Sequence, residues 1–419
     1  MSQSTLSKRL ASVKPGTLYV GVDLALDHHV TVVLDERAKQ LTRFRFSNDR
    51  EGYKYFRRRL HKLQEKHGAP EVLVGMEPTN YYWKLLAADL EQREIRYRLV
   101  NPFTVKKHRE GNQLDRSKDD RRDAFTIAEL LRTGKYTETR LLHGAYAELR
   151  QLVTVHERLR RDIRRQKTLV VNIAGQLFPE LCFAFKDLTC QTALGMLRGH
   201  ASAHQISKLP LLEFIAQVRA TFQGRRLYVS KLKQAHALAS TSVGLQDGVH
   251  GLQLALKQHI DTLEHFQKQY EETREVLTAL FLALPQAQYL LSVHGLGLFT
   301  AATILAEIGD PSHYVRINQM VKLAGTQPVP NASGRKSSSK TPMSHKGRPR
   351  LRTALYFAVM RLIRLDDSFA LEYRRLQTRS KNPLCKMQAL GVLMNKLLRI
   401  LWALMRKQTF YVPSFQCTG

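Results

Sequence analysis

Short apolar runs separated by charged breaks dominate the first hundred residues. Leu18–Ala25 is an apolar run ended by Asp23, the pattern of a buried strand, and His29–Leu34 and Leu41–Phe46 follow as two more. Glu51–Lys66, rich in Tyr, Phe and Arg, reads as a helix. Glu71–Met76 is a fourth strand, closed by Glu77-Pro78-Thr79. Asn80 is placed to cap a helix over Tyr81–Gln92, and Tyr97–Val100 is a fifth strand. A basic loop (Lys106, Lys107, His108, Arg109) then leads to Lys118-Asp119-Asp120-Arg121-Arg122-Asp123-Ala124, which opens a helix running to Leu131.

Beyond residue 145 the period changes. Over 146–177, Leu149, Ile163, Val170 and Leu177 form one seven-residue series, interrupted by His156. Leu152, Leu159 and Ile173 form another, interrupted by Gln166. Leu256, Leu263, Tyr270 and Leu277 repeat the spacing within Leu252–Leu282, so the two segments predict an antiparallel coiled coil, within the chain or between chains. Between them, 178–250 reads as small helices (Leu211–Phe222, Leu227–Ala239) with loops. After Leu284-Pro285, the run Leu291-Ser292-Val293-His294-Gly295-Leu296-Gly297 enters an apolar helix, Thr300–Ile308. Apolar-Gly-apolar-Gly between helices is the helix-hairpin-helix pattern. Gly295 and Gly297 would let backbone N–H groups approach a phosphate at a helix start. Leu351–Met405 is helical, with core stripes of Leu, Ile and Met. The expected class is α/β plus α, and the order β-β-β-α-β-α-β-α is that of the ribonuclease H-like fold.

Charge narrows the partner. The 419 residues carry a net charge of +30, and Pro311–Gly419 holds 20 Lys/Arg against three acids. Such an excess predicts a polyanion. Leu393–Met405, broken by Lys396 and Arg399, is too short to span a membrane, and residues 1–16 have no apolar signal core. Four cysteines without metal-ligand spacing fit a reducing cytoplasm. Arg158, Arg160, Arg161, Arg164, Arg165 and Lys167 crowd one long helix, either as a solvated face or as one turned to phosphates.

The acids carry the chemistry. Asp120 and Asp123 lie one helical turn apart and project from one face. The bland reading is a solvated helix start, with acids near the positive end of the dipole. If strands one and four are neighbours, however, Asp23 and Glu77 reach the same edge, near that helix. Four converging carboxylates would repel without a divalent cation. Oxygen donors of this kind suit Mg²⁺, with Mn²⁺ as its substitute, and a metal pair would stabilise an in-line phosphoryl displacement. Far down the chain, Asn331-Ala332-Ser333-Gly334-Arg335-Lys336-Ser337-Ser338-Ser339-Lys340 combines serines with phosphate-binding cations but supplies no base. Lys346, Arg348, Arg350 and Arg352 are further candidate nucleic-acid contacts, as are Lys106 and Lys107.

With these segments in hand, the chain resembles the DEDD-type insertion-sequence transposases, a family that includes the pilin-gene invertase and bridge-RNA-guided recombinases. Gly21-Val22-Asp23-Leu24-Ala25 is similar to its first-strand Asp motif, and Gly75-Met76-Glu77-Pro78-Thr79 to its Glu motif. Lys118–Ala124 matches Lys-x-Asp-x-x-Asp-Ala, which selects Asp120 over Asp119. Gly295-Leu296-Gly297 through Leu305-Ala306-Glu307-Ile308-Gly309-Asp310 resembles the opening of its C-terminal domain. Leu323–Pro328 and Ser333-Gly334-Arg335-Lys336 resemble its serine segment. The family more often has Gln-Ser-Gly-Gly-Lys, so Ser337–Ser339 leave the nucleophile's register open.

The resemblance implies a RuvC-like domain over 1–142, binding Mg²⁺ through Asp23, Glu77, Asp120 and Asp123. The heptads place a coiled-coil region over 143–284, with a helical insertion at about 178–250 that is longer than the family's usual middle, and the resemblance implies a transposase domain over 285–419. Ser333 would attack a DNA phosphate to form a phosphoserine link in a site shared between protomers. Gly295, Gly297, Arg335, Lys336 and Lys340 would contact nucleic acid. A non-coding bridge RNA would pair with donor and target DNA, and the assembly would be a tetramer, a dimer of dimers, in the bacterial cytoplasm at the nucleoid. The rival readings are a metal-dependent junction endonuclease that uses water, and a non-enzymatic nucleic-acid architectural protein. An actin-like ATPase is disfavoured by the lack of a second Gly-rich phosphate loop.

Overall fold

The computed structural model describes residues 9, 11, 13–112, 120–137, 141–222, 226–329, 332–333, 336–337 and 342–413; for 109–112, 120–121, 332–333 and 336–337 it describes the backbone only. The chain forms two compact units, Met1–Leu141 and Leu142–Gly419.

The first unit is built on β1 (Leu18–Asp23), β2 (His28–Leu34), β3 (Gln40–Ser47), α1 (Arg50–His67), β4 (Val72–Met76), α2 (Tyr82–Gln92), β5 (Tyr97–Leu99), α3 (Pro102–Asn112) and α4 (Asp120–Arg132). The sheet order is β3-β2-β1-β4-β5, with β1 antiparallel to β2 and parallel to β4. The central pairing of β1 with β4, on which the convergence of Asp23 and Glu77 depends, is therefore present. Strand alternation splits the core into two layers. Leu18, Val20, Val22 and Leu24 pack with Phe56, Leu60, Leu86 and Leu90 of α1 and α2, while Tyr19 packs with Ile127, Ala128 and Leu131 of α4.

Two local expectations differ from what is observed. The basic stretch from Lys106 lies within helix α3, not a loop: Pro102 occupies the first helical position and Asn101 Oδ1 accepts from Phe103 N at 2.9 Å. Asn80 does not cap α2. Its φ is +50°, and the N-cap position falls to Tyr81, which makes no side-chain cap bond.

The second unit begins with α5 (Gly144–Leu177). The small helices α6 (Leu181–Ala184), α7 (Gln191–Gly199), α8 (Ala203–Ser207), α9 (Leu211–Thr221) and α10 (Val229–Ala239) lead to α11 (Val249–Ala283). Then come α12 (Gln286–Leu291), α13 (Leu298–Ile308), α14 (Ile317–Ala324), a short hairpin of β6 (Ala332–Ser333) and β7 (Lys336–Ser337), α15 (Pro349–Leu365), α16 (Asp367–Thr378) and α17 (Lys386–Lys407).

The long helices α5 and α11 run antiparallel and join two separate apolar cores. Leu149, Val153, Leu277 and Phe281 belong to the core of α12–α17; Val170, Ile173, Leu256, Ile260 and Leu263 belong to a core with α6–α10. The residues 178–250 are thus a small helical body with its own interior. The polar interruptions of the heptads are matched pairs. His156 stacks between Tyr270 and Phe299, with ring centroids 4.7 and 5.0 Å away, and His259 Nδ1 lies 2.9 Å from Gln166 Oε1. Helix α17, at 22 residues, is longer than the apolar run read in the sequence and has the length and composition to cross a membrane. Its Leu393, Leu397, Leu398 and Leu401 are buried in the core of α12–α17.

Helix α4 packs closely on the sheet at Gly21. A Cβ there would stand 2.0 Å from Ala124 O and 2.5 Å from Ala128 N. At its register partner Gly75 a Cβ would meet the Leu131 side chain at 2.4 Å. Backbone cannot yield as a leucine rotamer can. Gly21→Ala is expected to destabilise the fold by about 1–3 kcal/mol in chemical denaturation, and Gly75→Ala by less.

Candidate active site

Asp23 is the last residue of β1, and Glu77 directly follows β4. Side chains two apart on a strand share a face. Gly21 and Gly75 both open onto α4, so Asp23, two residues farther along β1, falls on that same face, and Glu77, one residue past the end of β4, stands beside it at the strand ends. Helix α4 runs against β1. Its Arg132 end interacts electrostatically with Tyr19, and Ala124 and Ala128 flank Gly21, so its first turn lies toward Asp23. Asp120 and Asp123 occupy that first turn, and Asp123 is half-buried. The Asp120 side chain lies outside the described residues, as do Lys118 and Asp119.

Topology thus brings segments carrying all four acids to one sheet edge. Among the described residues, no three His, Cys, Asp or Glu side chains form a group tight enough to hold an ion by themselves. An all-carboxylate donor set of this kind fits a hard cation such as Mg²⁺ by its chemistry.

The loop after Asp23 is stapled from below. His29, fully buried, accepts from Ala25 N at Nδ1 (3.2 Å), so its Nε2 carries the proton and donates to Asn48 Oδ1 (3.2 Å). Tyr53 Oη donates to the same oxygen at 2.7 Å, and Asn48 Nδ2 donates to Leu26 O at 3.0 Å. Burial holds the His29 pKa below its usual value, which favours this neutral form. Nothing in the sequence pattern singled out this network, because His29 lies on β2, Asn48 in the connection after β3 and Tyr53 on α1.

Ser333 belongs to the second unit. It pairs with Lys336, and Ala332 with Ser337, across the β6–β7 hairpin; the side chains there, and Arg335 and Lys340, lie outside the described residues. The base of this arm is held by backbone bonds. Val329 N donates to Pro342 O (2.9 Å), Ser344 N to Gln327 O (2.9 Å) and His345 N to Gly325 O (3.0 Å). Thr326 Oγ1 donates to Asn395 Oδ1 at 2.5 Å, and Asn395 Nδ2 returns a bond to Thr326 O at 3.1 Å, tying the arm to α17. Gly347 packs so closely that a Cβ would stand 2.3 Å from Gly325 N.

The remaining basic candidates separate into two kinds. Lys106, Lys107 and Lys346 are exposed, with the Lys107 ammonium 4.8 Å from the centre of the Phe103 ring. Arg348 and Arg350 instead meet Glu307, a buried carboxylate on α13. Arg350 Nη1 lies 3.2 Å from Glu307 Oε1, Arg348 donates to the Glu307 carbonyl, and Arg150 of α5 donates to Glu307 Oε2 at 3.3 Å. Arg350 also pairs with Glu157 at 2.8 Å. Burial lowers the Arg348 pKa, and repulsion from Arg150 adds to the effect. Arg352 donates to Ala324 O at 3.1 Å. Gly295 adopts φ +96° in the turn between α12 and α13, and Gly297 is the N-cap of α13.

Comparison with known proteins decides the family. A family model described as "Transposase", of the DEDD IS110 type, matches residues 20–179, and one described as "Transposase IS116/IS110/IS902 family" matches residues 287–374. The first covers β1 to α5 and the second α12 to α16, together more than half of the chain. The chain belongs to the IS110-type DEDD transposases. An enzyme of this family cleaves and recombines DNA. The transposase for insertion sequence element IS1111A of Coxiella burnetii is 25% identical over 419 residues, covering 97% of this chain and 94% of that one. An insertion element IS900 protein of Mycobacterium paratuberculosis is 26% identical over 410 residues (95% and 98%). A protein named for the IS117 mini-circle of Streptomyces coelicolor is 26% identical over 338 residues (76% and 78%).

In this transposase Glu307 anchors the exit of the serine arm, and its removal would leave three neighbouring guanidinium groups without their shared carboxylate. Glu307→Ala is expected to cost about 3–5 kcal/mol, read as a lower urea midpoint at unchanged slope.

Proposed function

We propose that the protein is an insertion-sequence recombinase that joins donor and target DNA through a phosphoserine intermediate. Asp23, Glu77, Asp120 and Asp123 of residues 1–142 would hold divalent metal, Mg²⁺ or Mn²⁺ in its place. Bound there, the metal would supply positive charge to the phosphate oxygens at the point of displacement. Ser333 Oγ, in residues 285–419, attacks phosphorus; the new Oγ–P bond replaces the bond to the departing deoxyribose oxygen, and a later attack by a strand-end hydroxyl releases the serine. Arg335, Lys336 and Lys340 flank it and offset the phosphate's charge.

The observation that supports this reading most is the placement of Asp23 and Glu77 at the adjacent ends of β1 and β4, two residues beyond the paired glycines that admit α4. The two antiparallel long helices serve as the coiled coil through which a dimer of dimers assembles. A non-coding bridge RNA selects the DNA sites by base pairing. The net charge of +30 suits one protein that holds two duplexes and a folded RNA. The reaction belongs to the bacterial cytoplasm, at the nucleoid.

A metal-dependent junction endonuclease that activates water is the second reading, since the acids in the first unit form a RuvC-type donor set without the serine. Ser333→Ala separates the two. Recombination and the covalent protein–DNA adduct on a denaturing gel should both vanish while RNA and DNA binding persist. Cleavage that survives Ser333→Ala and is lost in Asp23→Ala would establish the nuclease; a persisting adduct would move the nucleophile to another residue.

A further inference from the structure

The middle of α5 carries a charged face that the reaction above does not use. Arg158, Arg160, Arg161, Arg164 and Arg165 are all exposed, while Leu159 is buried and Ile163 and Gln166 turn partly inward toward α11. The arginines therefore lie on the side of α5 away from its partner helix. They stand at spacings of three and four residues, where like charges on a helix repel.

Of the carboxylates near this face, Asp162 lies within the segment, four residues after Arg158 and three before Arg165, and stands in no ion pair among the described residues; three others are engaged elsewhere. Glu157, four residues before Arg161, is held by Arg350 at 2.8 Å. Asp261 and Glu264 on α11 are both taken by Arg198 of α7, at 3.0 and 2.7 Å. Among the described residues, none of the five arginines stands in an ion pair with a carboxylate. All five side chains are exposed, so this face of α5 is open to solvent.

We infer that the outward arginine face of α5, Arg158 to Arg165, is a docking surface for the phosphate backbone of double-stranded DNA. From Arg158 to Arg165 the helix advances about 10 Å, a length over which duplex DNA carries about six phosphate charges. Five guanidinium groups on a rigid helix match that density, and arginine suits phosphate by its forked donors. DNA is the substrate on which the family acts. A second copy of the chain is a poorer occupant, because each copy carries +30 and docking at this face would add to the repulsion.

The test uses the full chain and a linear duplex of arbitrary sequence in EDTA, so that the metal-binding acids and Ser333 play no part in the readout. Fluorescence anisotropy across a salt series should show R158Q/R161Q/R165Q binding roughly tenfold or more weakly at low salt. Its slope of log K against log salt should be shallower by about 0.9 for each phosphate no longer neutralised. R158K/R161K/R165K should keep most of the wild-type slope. An unchanged slope in the Gln variant would overturn the inference, as would an equal loss in the Lys variant, which would make the effect structural. Unchanged duplex binding with abolished self-association would assign the face to a second copy. Unchanged duplex binding with weakened affinity for a folded RNA would assign it to RNA; either result also refutes the DNA surface.

Discussion

The first unit depends on how closely α4 approaches the sheet. At Gly21 no atom beyond Hα fits between strand and helix, since a Cβ would stand 2.0 Å from Ala124 O. Gly75, directly across the register on β4, makes room for the Leu131 side chain of the same helix. That approach fixes which way α4 lies on the sheet and brings its first turn to the strand ends bearing Asp23 and Glu77. In Gly-x-Asp and Gly-x-Glu the residue that admits the helix thus stands two positions before the acid at the strand end.

Much of this was legible in the sequence because it is encoded locally. Alternation and apolar runs located all five strands, and the heptads located α5 and α11. The acids were legible through spacing and strand position. What remained hidden was set by tertiary partners. The helical character of Lys106 and Lys107 followed from Asn101 and Pro102, a start signal outweighed by the local charge. His156 and Gln166 read as breaks in the heptads because their partners, Tyr270 with Phe299 and His259, lie on elements far along the chain. Gly21 was visible as part of a motif, but its clearance against Ala124 was not.

The second unit places its charges with a different logic. Around Glu307, arginines from α5 and from the start of α15 converge on one buried carboxylate, and the arm bearing Ser333 returns to the core directly before Arg348. On α5 the order of charges along the helix separates two tasks. Arg150 and Glu157 turn toward this buried cluster, whereas the arginines from Arg158 onward face outward. The strongly basic C-terminal third is thus not one uniform polyanion surface. Part of it is consumed in holding the serine arm's base, and exposed Lys346 stands beside arginines committed to the fold.

The proposed convergence of Asp23, Glu77 and the first turn of α4 on divalent metal is tested most directly by Mn²⁺ titration of the full chain, followed by the electron paramagnetic resonance signal of free ion. Asp23→Asn, Glu77→Gln and Asp123→Asn should each weaken binding, while Asp119→Asn leaves it close to wild type. Binding indifferent to Asp23 and Glu77, or lost more completely with Asp119 than with Asp123, would contradict it.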